Sequence, residues 1–249
     1  MSEPEVIVHA DADVLAAAAA ARLVTAVVDA QLTRGRAGVV LTGGRTGTAV
    51  LAQLDASPAR EAIDWQRVDL YWGDERFLPA GDPERNETQA RQALLDHIPV
   101  PAERVHVMEP AGGRFGDDPD AAAAAYAEFL ASVAEDGHVP TFDVCLLGVG
   151  EEGHTASVFP DSPAVHETTR TAVAVRDCPK PPPTRVSLTL PAIRRSMQVW
   201  LMTTGEAKAD AIAAALGGAR EVDIPAAGAR GQHRTLWLLD RAAAAKLPG

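Results

Sequence analysis

The chain has 249 residues, with 23 Lys or Arg against 34 Asp or Glu, for a net charge of −11. That balance argues against a basic nucleic-acid-binding surface, and 47% apolar with 23% charged residues is the composition of a globular rather than a disordered protein. No uncharged apolar run approaches the ~18 residues of a membrane-spanning helix, and Glu3, Glu5 and His9 interrupt any apolar leader, so a soluble cytoplasmic protein is expected.

Glu5 to Ala10 alternates apolar and polar residues and predicts a first strand. Asp11 or Asp13 then caps a long Ala-rich helix reaching about Arg34. Gly38 to Thr42 is a short apolar strand ending in Gly43-Gly44, after which Val50, Leu51 and Leu54 recur at helical spacing. The next strand is Val68 to Trp72, which stops at the loop Gly73-Asp74-Glu75-Arg76.

A helix over Asn86 to Ile98, a strand over Val105 to Met108 and an Ala-rich helix over Pro119 to Ala134 follow. Phe142 to Leu147 is fully apolar, as for a strand covered on both faces, and runs into Gly148-Val149-Gly150. Further strands are expected over Thr171 to Arg176, Arg185 to Leu190, Val199 to Thr203 and Thr235 to Leu239, with helices over Glu206 to Leu216 and Asp240 to Lys246. Strands alternating with helices predict a mostly parallel twisted sheet with helices on both faces, in a single domain over residues 1–249; a closed (β/α)₈ barrel also fits the length.

Cys145 and Cys178 are too few for a disulfide framework, and the seven histidines form no HxxxH or HExxH pair, so no metal is expected. In an open α/β sheet, ligands bind beyond the carboxyl ends of the strands, which singles out four loops. Thr42-Gly43-Gly44-Arg45-Thr46-Gly47-Thr48 joins a strand to a helix, where backbone N–H groups and the helix N-terminus favour a phosphate. In Trp72-Gly73-Asp74-Glu75-Arg76-Phe77, Arg76 can fork onto an anion and Asp74 can accept from a hydroxyl or orient another group.

Gly148-Val149-Gly150-Glu151-Glu152-Gly153-His154 spells GxGxxG, but two glutamates stand where a pyrophosphate would sit and Pro160 cuts short any following helix. What it offers is an imidazole beside carboxylates, a candidate general base. Ser157 follows without an obvious acid partner, so water is the expected nucleophile. The fourth feature pairs the stiff run Pro179-Lys180-Pro181-Pro182-Pro183-Thr184-Arg185 with Lys208, a cation in a helix's first turn that an anionic ligand would suit.

These strings, TGGRTGT, WGDERF, LLGVGEEGHTASVFP, PKPPPTRVSLT, TTGEAKADAI and PAAGARG with LWLLDRAAA, resemble in order the motifs of 6-phosphogluconolactonases, across about Val39 to Ala245. The resemblance implies a Rossmann-like α/β fold shared with glucosamine-6-phosphate deaminases. It also implies hydrolysis of a small sugar-phosphate lactone, 6-phospho-D-glucono-1,5-lactone, with no cofactor and no nucleic-acid or membrane partner, by a monomer or weak homo-oligomer. The family's catalytic histidine falls on His154, its phosphate loop on Gly43, Gly44, Arg45 and Thr46, and its substrate-facing basic residues on Arg76, Arg185 and Lys208.

Two departures stand out: Arg45-Thr46-Gly47 replaces the common Ser-Thr-Pro, and Glu152 replaces an Asp two residues before the histidine. Asp74 and Glu152 are the acids expected to assist His154, and the oxyanion donors come from the turn Gly148 to Gly153 or from Arg76. An amino-sugar-phosphate deaminase is the nearest rival, disfavoured because Thr-Ala-Ser-Val-Phe-Pro after His154 contains no acid. A sugar-phosphate-sensing regulator is the other, disfavoured because a strand begins by Glu5 where a DNA-binding segment is expected.

Overall fold

The apolar runs of the sequence become the strands of one parallel sheet. In the computed structural model, which describes residues 3–248, the strands are β1 (Glu5–His9), β2 (Ala37–Leu41), β3 (Val68–Trp72), β4 (Asp74–Arg76), β5 (Val144–Gly148), β6 (Ala172–Val175), β7 (Arg185–Leu188), β8 (Gln198–Thr203) and β9 (Arg234–Asp240). Six of them pair in the order β1-β9-β8-β5-β2-β3, every neighbour parallel. This sheet is open, which rules out the barrel.

Helices α1 (Ala12–Arg34), α2 (Gly44–Ala56), α3 (Asn86–Ala93), α4 (Pro119–Val133), α5 (Leu190–Ile193) and α6 (Ala209–Leu216) complete the α/β pattern. Asp11 is the residue that caps α1, its carboxylate accepting from Val14 N at 2.9 Å. Leu15, Ala19, Leu23, Val27 and Ala30 form the buried stripe of that helix, so its alanines serve both helix propensity and close packing.

The remaining strands form a second, antiparallel sheet in the order β4-β7-β6. Gly73 joins the two sheets: its N–H donates to Leu41 O at 2.9 Å, and its carbonyl accepts from Leu188 N at 2.8 Å. Asp74 to Arg76, read from the sequence as a loop, is therefore a short strand with charged side chains.

Asp74 and Glu75 are buried, and Glu75 for a structural reason. The Glu75 carboxylate accepts from Asn86 N (2.7 Å) and Glu87 N (2.8 Å), capping α3, and from Arg76 N (2.8 Å). Arg85, fully buried, lies 3.7 Å from Glu75 and donates to the carbonyls of Leu78 (3.1 Å) and Met108 (2.8 Å). Burial pushes the Glu75 carboxyl upward, while Arg85 and the three backbone donors oppose that shift.

Three expected elements differ. Val105 to Met108 makes a single bridge to Leu70 before the chain leaves the sheet edge, and residues 241–246 form turns in place of a helix. The helix from Asn86 ends at Ala93 and tightens into a 3₁₀ turn, Leu95–His97.

Glu75→Ala should destabilise the fold by about 3–5 kcal/mol, because it strands the Arg85 guanidinium and uncaps α3. A urea titration reads this as a lower midpoint at unchanged slope, and a loss below 1 kcal/mol would contradict the role given to Glu75.

Candidate active site

β2, β3, β5 and β8 end on one side of the parallel sheet, and the segments that follow them surround a cleft of about 230 Å³. On one wall, α2 begins at Gly44 without a side-chain cap and without an acidic residue in its first turn. Its free N–H groups and the positive end of its dipole face the cleft beside Thr42, Gly43 and Gly44. Gly43 is required by packing, since a Cβ there would overlap the Asn86 side chain.

Arg45 and Thr46, expected in the phosphate loop, lie outside the lining of this cleft. The helix has already begun at Gly44 and turns both away: Arg45 is exposed, and Thr46 Oγ1 is 3.3 Å from Thr204 Oγ1. The backbone of this loop, rather than its side chains, is offered to a ligand.

The second sheet supplies the floor. Asp74 is buried and accepts from Ser157 Oγ at 2.6 Å, with Arg185 Nη1 3.8 Å away. Ser157 thus has the acid partner that the sequence did not reveal, but it is fully buried and unavailable as a nucleophile. Asn86 Nδ2 donates to the Asp74 carbonyl at 2.8 Å, leaving its Oδ1 buried and unpartnered in a side chain that lines the cleft. Sequence reasoning read Asn86 only as the start of a helix; its position after WGDERF was the available signal.

The proline-rich turn acts as a collar for Arg185, which donates to the carbonyls of Lys180 (3.1 Å), Pro181 (3.3 Å) and Pro182 (3.2 Å). Arg76 likewise donates to the Glu84 carbonyl, and its Nε is buried without a partner. Both side chains line the cleft, as do Lys180 and Lys208. Lys208 is half-buried and makes no ion pair among the described residues.

Opposite these cations, the glycine-rich turn closes on itself. Gly150 N donates to His154 O at 2.9 Å and Gly153 N to Gly150 O at 3.0 Å; no dinucleotide-type helix follows. Gly153 has φ +85, and a Cβ there would approach Ile224 to 2.8 Å. The space a Cβ would take at Gly150 is filled by the His154 ring, whose other side stacks on Phe159 at 4.3 Å between centroids.

Glu152 Oε1 lies 3.2 Å from His154 Nδ1, within ion-pair range but off the line of a hydrogen bond, and Nδ1 is otherwise covered. Nε2 is thus the ring nitrogen left to a ligand. Burial holds the His154 pKa below the ordinary 6.5, reinforced by Lys180 and opposed by Glu152 and Asp74. Burial opposes the ionised form of Glu152 too, but its own backbone N–H, Lys180 and His154 outweigh that and keep its pKa low. The arrangement therefore presents a neutral imidazole with an ionised carboxylate beside it, facing fixed cations. Among the described residues, no group of three or more His, Cys, Asp or Glu is placed to hold a metal ion.

The model of the glucosamine-6-phosphate isomerases and 6-phosphogluconolactonases matches residues 10–237. The chain belongs to the 6-phosphogluconolactonase family. It is 60% identical to the 6-phosphogluconolactonase of Streptomyces coelicolor, over 98% of this chain and 95% of that protein. The 6-phosphogluconolactonase of Mycobacterium tuberculosis is 57% identical over 96% of both. The solved 6-phosphogluconolactonase of Trypanosoma brucei superposes with a TM-score of 0.85 at 28% identity, over the whole of both chains.

Gly150→Ala is the local test, because its methyl group displaces the His154 ring by contact alone. A displacement near 1 Å should lower turnover about 10²-fold. Far-UV circular dichroism should stay at the wild-type level; full activity would show that the ring's position is not critical.

Proposed function

We propose that the cleft hydrolyses 6-phospho-D-glucono-1,5-lactone to 6-phosphogluconate, with His154 as general base for water. The coarser part of this reading, lactone hydrolysis in the pentose phosphate pathway, is supported by the curated relatives at 53–60% identity over nearly the whole chain. The observation that carries the finer part is the largely desolvated imidazole of His154, its pKa held down, in one cleft with Arg76, Arg185 and Lys208.

The chemistry follows from that opposition. Lys208, Arg185 and the uncapped N-terminus of α2 hold the phosphate and place C1 of the lactone near Nε2. His154 takes a proton from water as its oxygen bonds to C1, giving a tetrahedral oxyanion. The C1 to ring-oxygen bond then breaks, the imidazolium returns its proton to that oxygen, and the acid formed ionises.

The oxyanion needs a donor. Gly150 and Gly153 have spent their N–H groups inside the turn, whereas the Arg76 side chain borders the cleft. Arg76 is the donor favoured by that count. Asp74 faces the same space, held by Ser157 and Asn86, and is placed to accept from a sugar hydroxyl.

His154→Asn should lower kcat by about 10²- to 10⁴-fold without unfolding the protein. A coupled assay in which glucose-6-phosphate dehydrogenase supplies the lactone, corrected for spontaneous opening, reads the loss; an active variant sinks the assignment. In the wild type, kcat/KM should be flat through neutral pH and fall as the pH drops through the ring's pKa, which lies below 6.5.

Lys208→Ala separates binding from chemistry. It should raise KM for the phosphorylated lactone and leave the unphosphorylated glucono-lactone nearly unaffected. Equal effects on both substrates would remove the phosphate from Lys208.

A further inference from the structure

Lys180 stands beside the candidate base and none of the steps above uses it. Its Nζ donates to Glu152 Oε2 at 3.0 Å, while the other oxygen of the same carboxylate lies 3.2 Å from His154 Nδ1. Its carbonyl accepts from Arg185 Nη2 at 3.1 Å, and Cys178 N donates to Pro183 O at 3.0 Å to close the turn that carries it. The ammonium is thus anchored at both ends of its residue, one through the backbone and one through Glu152. Lys208, by contrast, has no ion-pair partner among the described residues and is the freer cation for a phosphate.

We propose that Lys180 is a positioning residue for His154, acting through Glu152: its ammonium holds the far carboxylate oxygen and balances that charge, so a carboxylate is kept beside Nδ1 while the imidazole remains uncharged. This rests on the reading of His154 as general base. An orienting carboxylate and a neutral base are opposing demands, because a bare carboxylate beside a ring favours the imidazolium, which has no lone pair to take a proton. A cation on the far oxygen reconciles them.

The charged groups around the ring fit this account. Glu152 from its own loop and Asp74 from β4 favour the protonated ring; Lys180, from the turn between β6 and β7, opposes it, and Phe159 adds no charge. Glu151, Arg76, Arg185 and Lys208 complete the charged lining of the cleft. Arg76 and Arg185 are tied to carbonyls, and Lys180 is the cation bonded to the carboxylate beside the ring.

The test compares Lys180→Met, Lys180→Gln and Lys180→Arg by the pH dependence of kcat/KM and by NMR titration of the His154 ring in the resting enzyme. Removing the cation should make the ring more basic. On the acid limb, kcat/KM of both neutral variants should then fall about three- to tenfold further below their own plateau than wild type does, as expected for loss of one nearby charge. The NMR midpoint should rise with it, and Lys180→Arg should restore both.

A neutral variant that raises KM with the acid limb and the NMR midpoint unmoved would overturn the proposal and make Lys180 a substrate ligand. A midpoint that falls would also overturn it, showing that Lys180 only presses Glu152 onto the ring. The titration needs no turnover, so failure of the base reading itself is seen separately, as lactonase activity that survives His154→Asn.

Discussion

The His154 imidazole is wedged between the Phe159 ring and the Cα of Gly150, where lost hydration makes its protonated form costly. That one desolvation sets conditions for every neighbour. Glu152 lies close to Nδ1 and favours the protonated ring, while burial and Lys180 counter that pull. The turn that presents the ring must have glycine at 150, to leave room for the ring, and at 153, where φ is positive and Ile224 closes the space. A small shift of either glycine would admit water to the ring or push it out of the cleft.

The other half of the cleft depends on where the chain crosses between sheets. At Gly73 the backbone leaves the parallel sheet and enters the antiparallel one, bonding to both, so that Asp74 and Arg76 arrive on the floor opposite the His154 turn. Glu75 and Arg85 beneath them are buried together and fix α3 to this crossing. A protein of net charge −11 repels an anionic substrate at long range, so attraction has to be local. Arg185 and Arg76 are held chiefly by carbonyls. A guanidinium fixed by a neutral acceptor keeps most of its field for a ligand, whereas one closely paired with a carboxylate is largely neutralised.

The parallel sheet was legible in the sequence because its strands are short apolar runs that end in glycine-containing loops, as at Leu41 and Trp72. β4 was not, because Asp-Glu-Arg has no alternation to read and its charges suggest solvent until side-chain partners eight or more residues away are known. Val105 to Met108 has the composition of a strand, but only one bridge forms before the chain turns off, a distinction set by tertiary context. Gly43, Gly44, Asp74, Arg76, His154, Arg185 and Lys208, all singled out in the sequence, line one cleft, whereas Arg45 and Thr46, singled out with them, lie on the helix that begins at Gly44 and outside that lining. Asn86 and Lys180 escaped notice for the opposite reason. Each looks structural in sequence, one as a helix start and one inside a proline run, and their place at the cleft follows only from hydrogen bonds to Asp74 and Glu152.

The cleft also divides the energetics of the reaction. Lys208, Arg185 and the α2 N-terminus would grip a phosphate that does not change during lactone opening, so their contribution is the same before and at the transition state. Such binding would lower KM and place C1, but it could not by itself raise the rate of the chemical step. On the proposed mechanism, acceleration would come from groups whose interactions strengthen as charge develops: Nε2 if it takes the proton, and Arg76 if the carbonyl oxygen becomes an oxyanion beside it. His154 stands on the turn that follows β5 of the parallel sheet and Arg76 on β4 of the antiparallel one, and Gly73 bonds to both sheets. The junction of the two sheets thus sets where the proposed binding and chemical groups stand relative to one another.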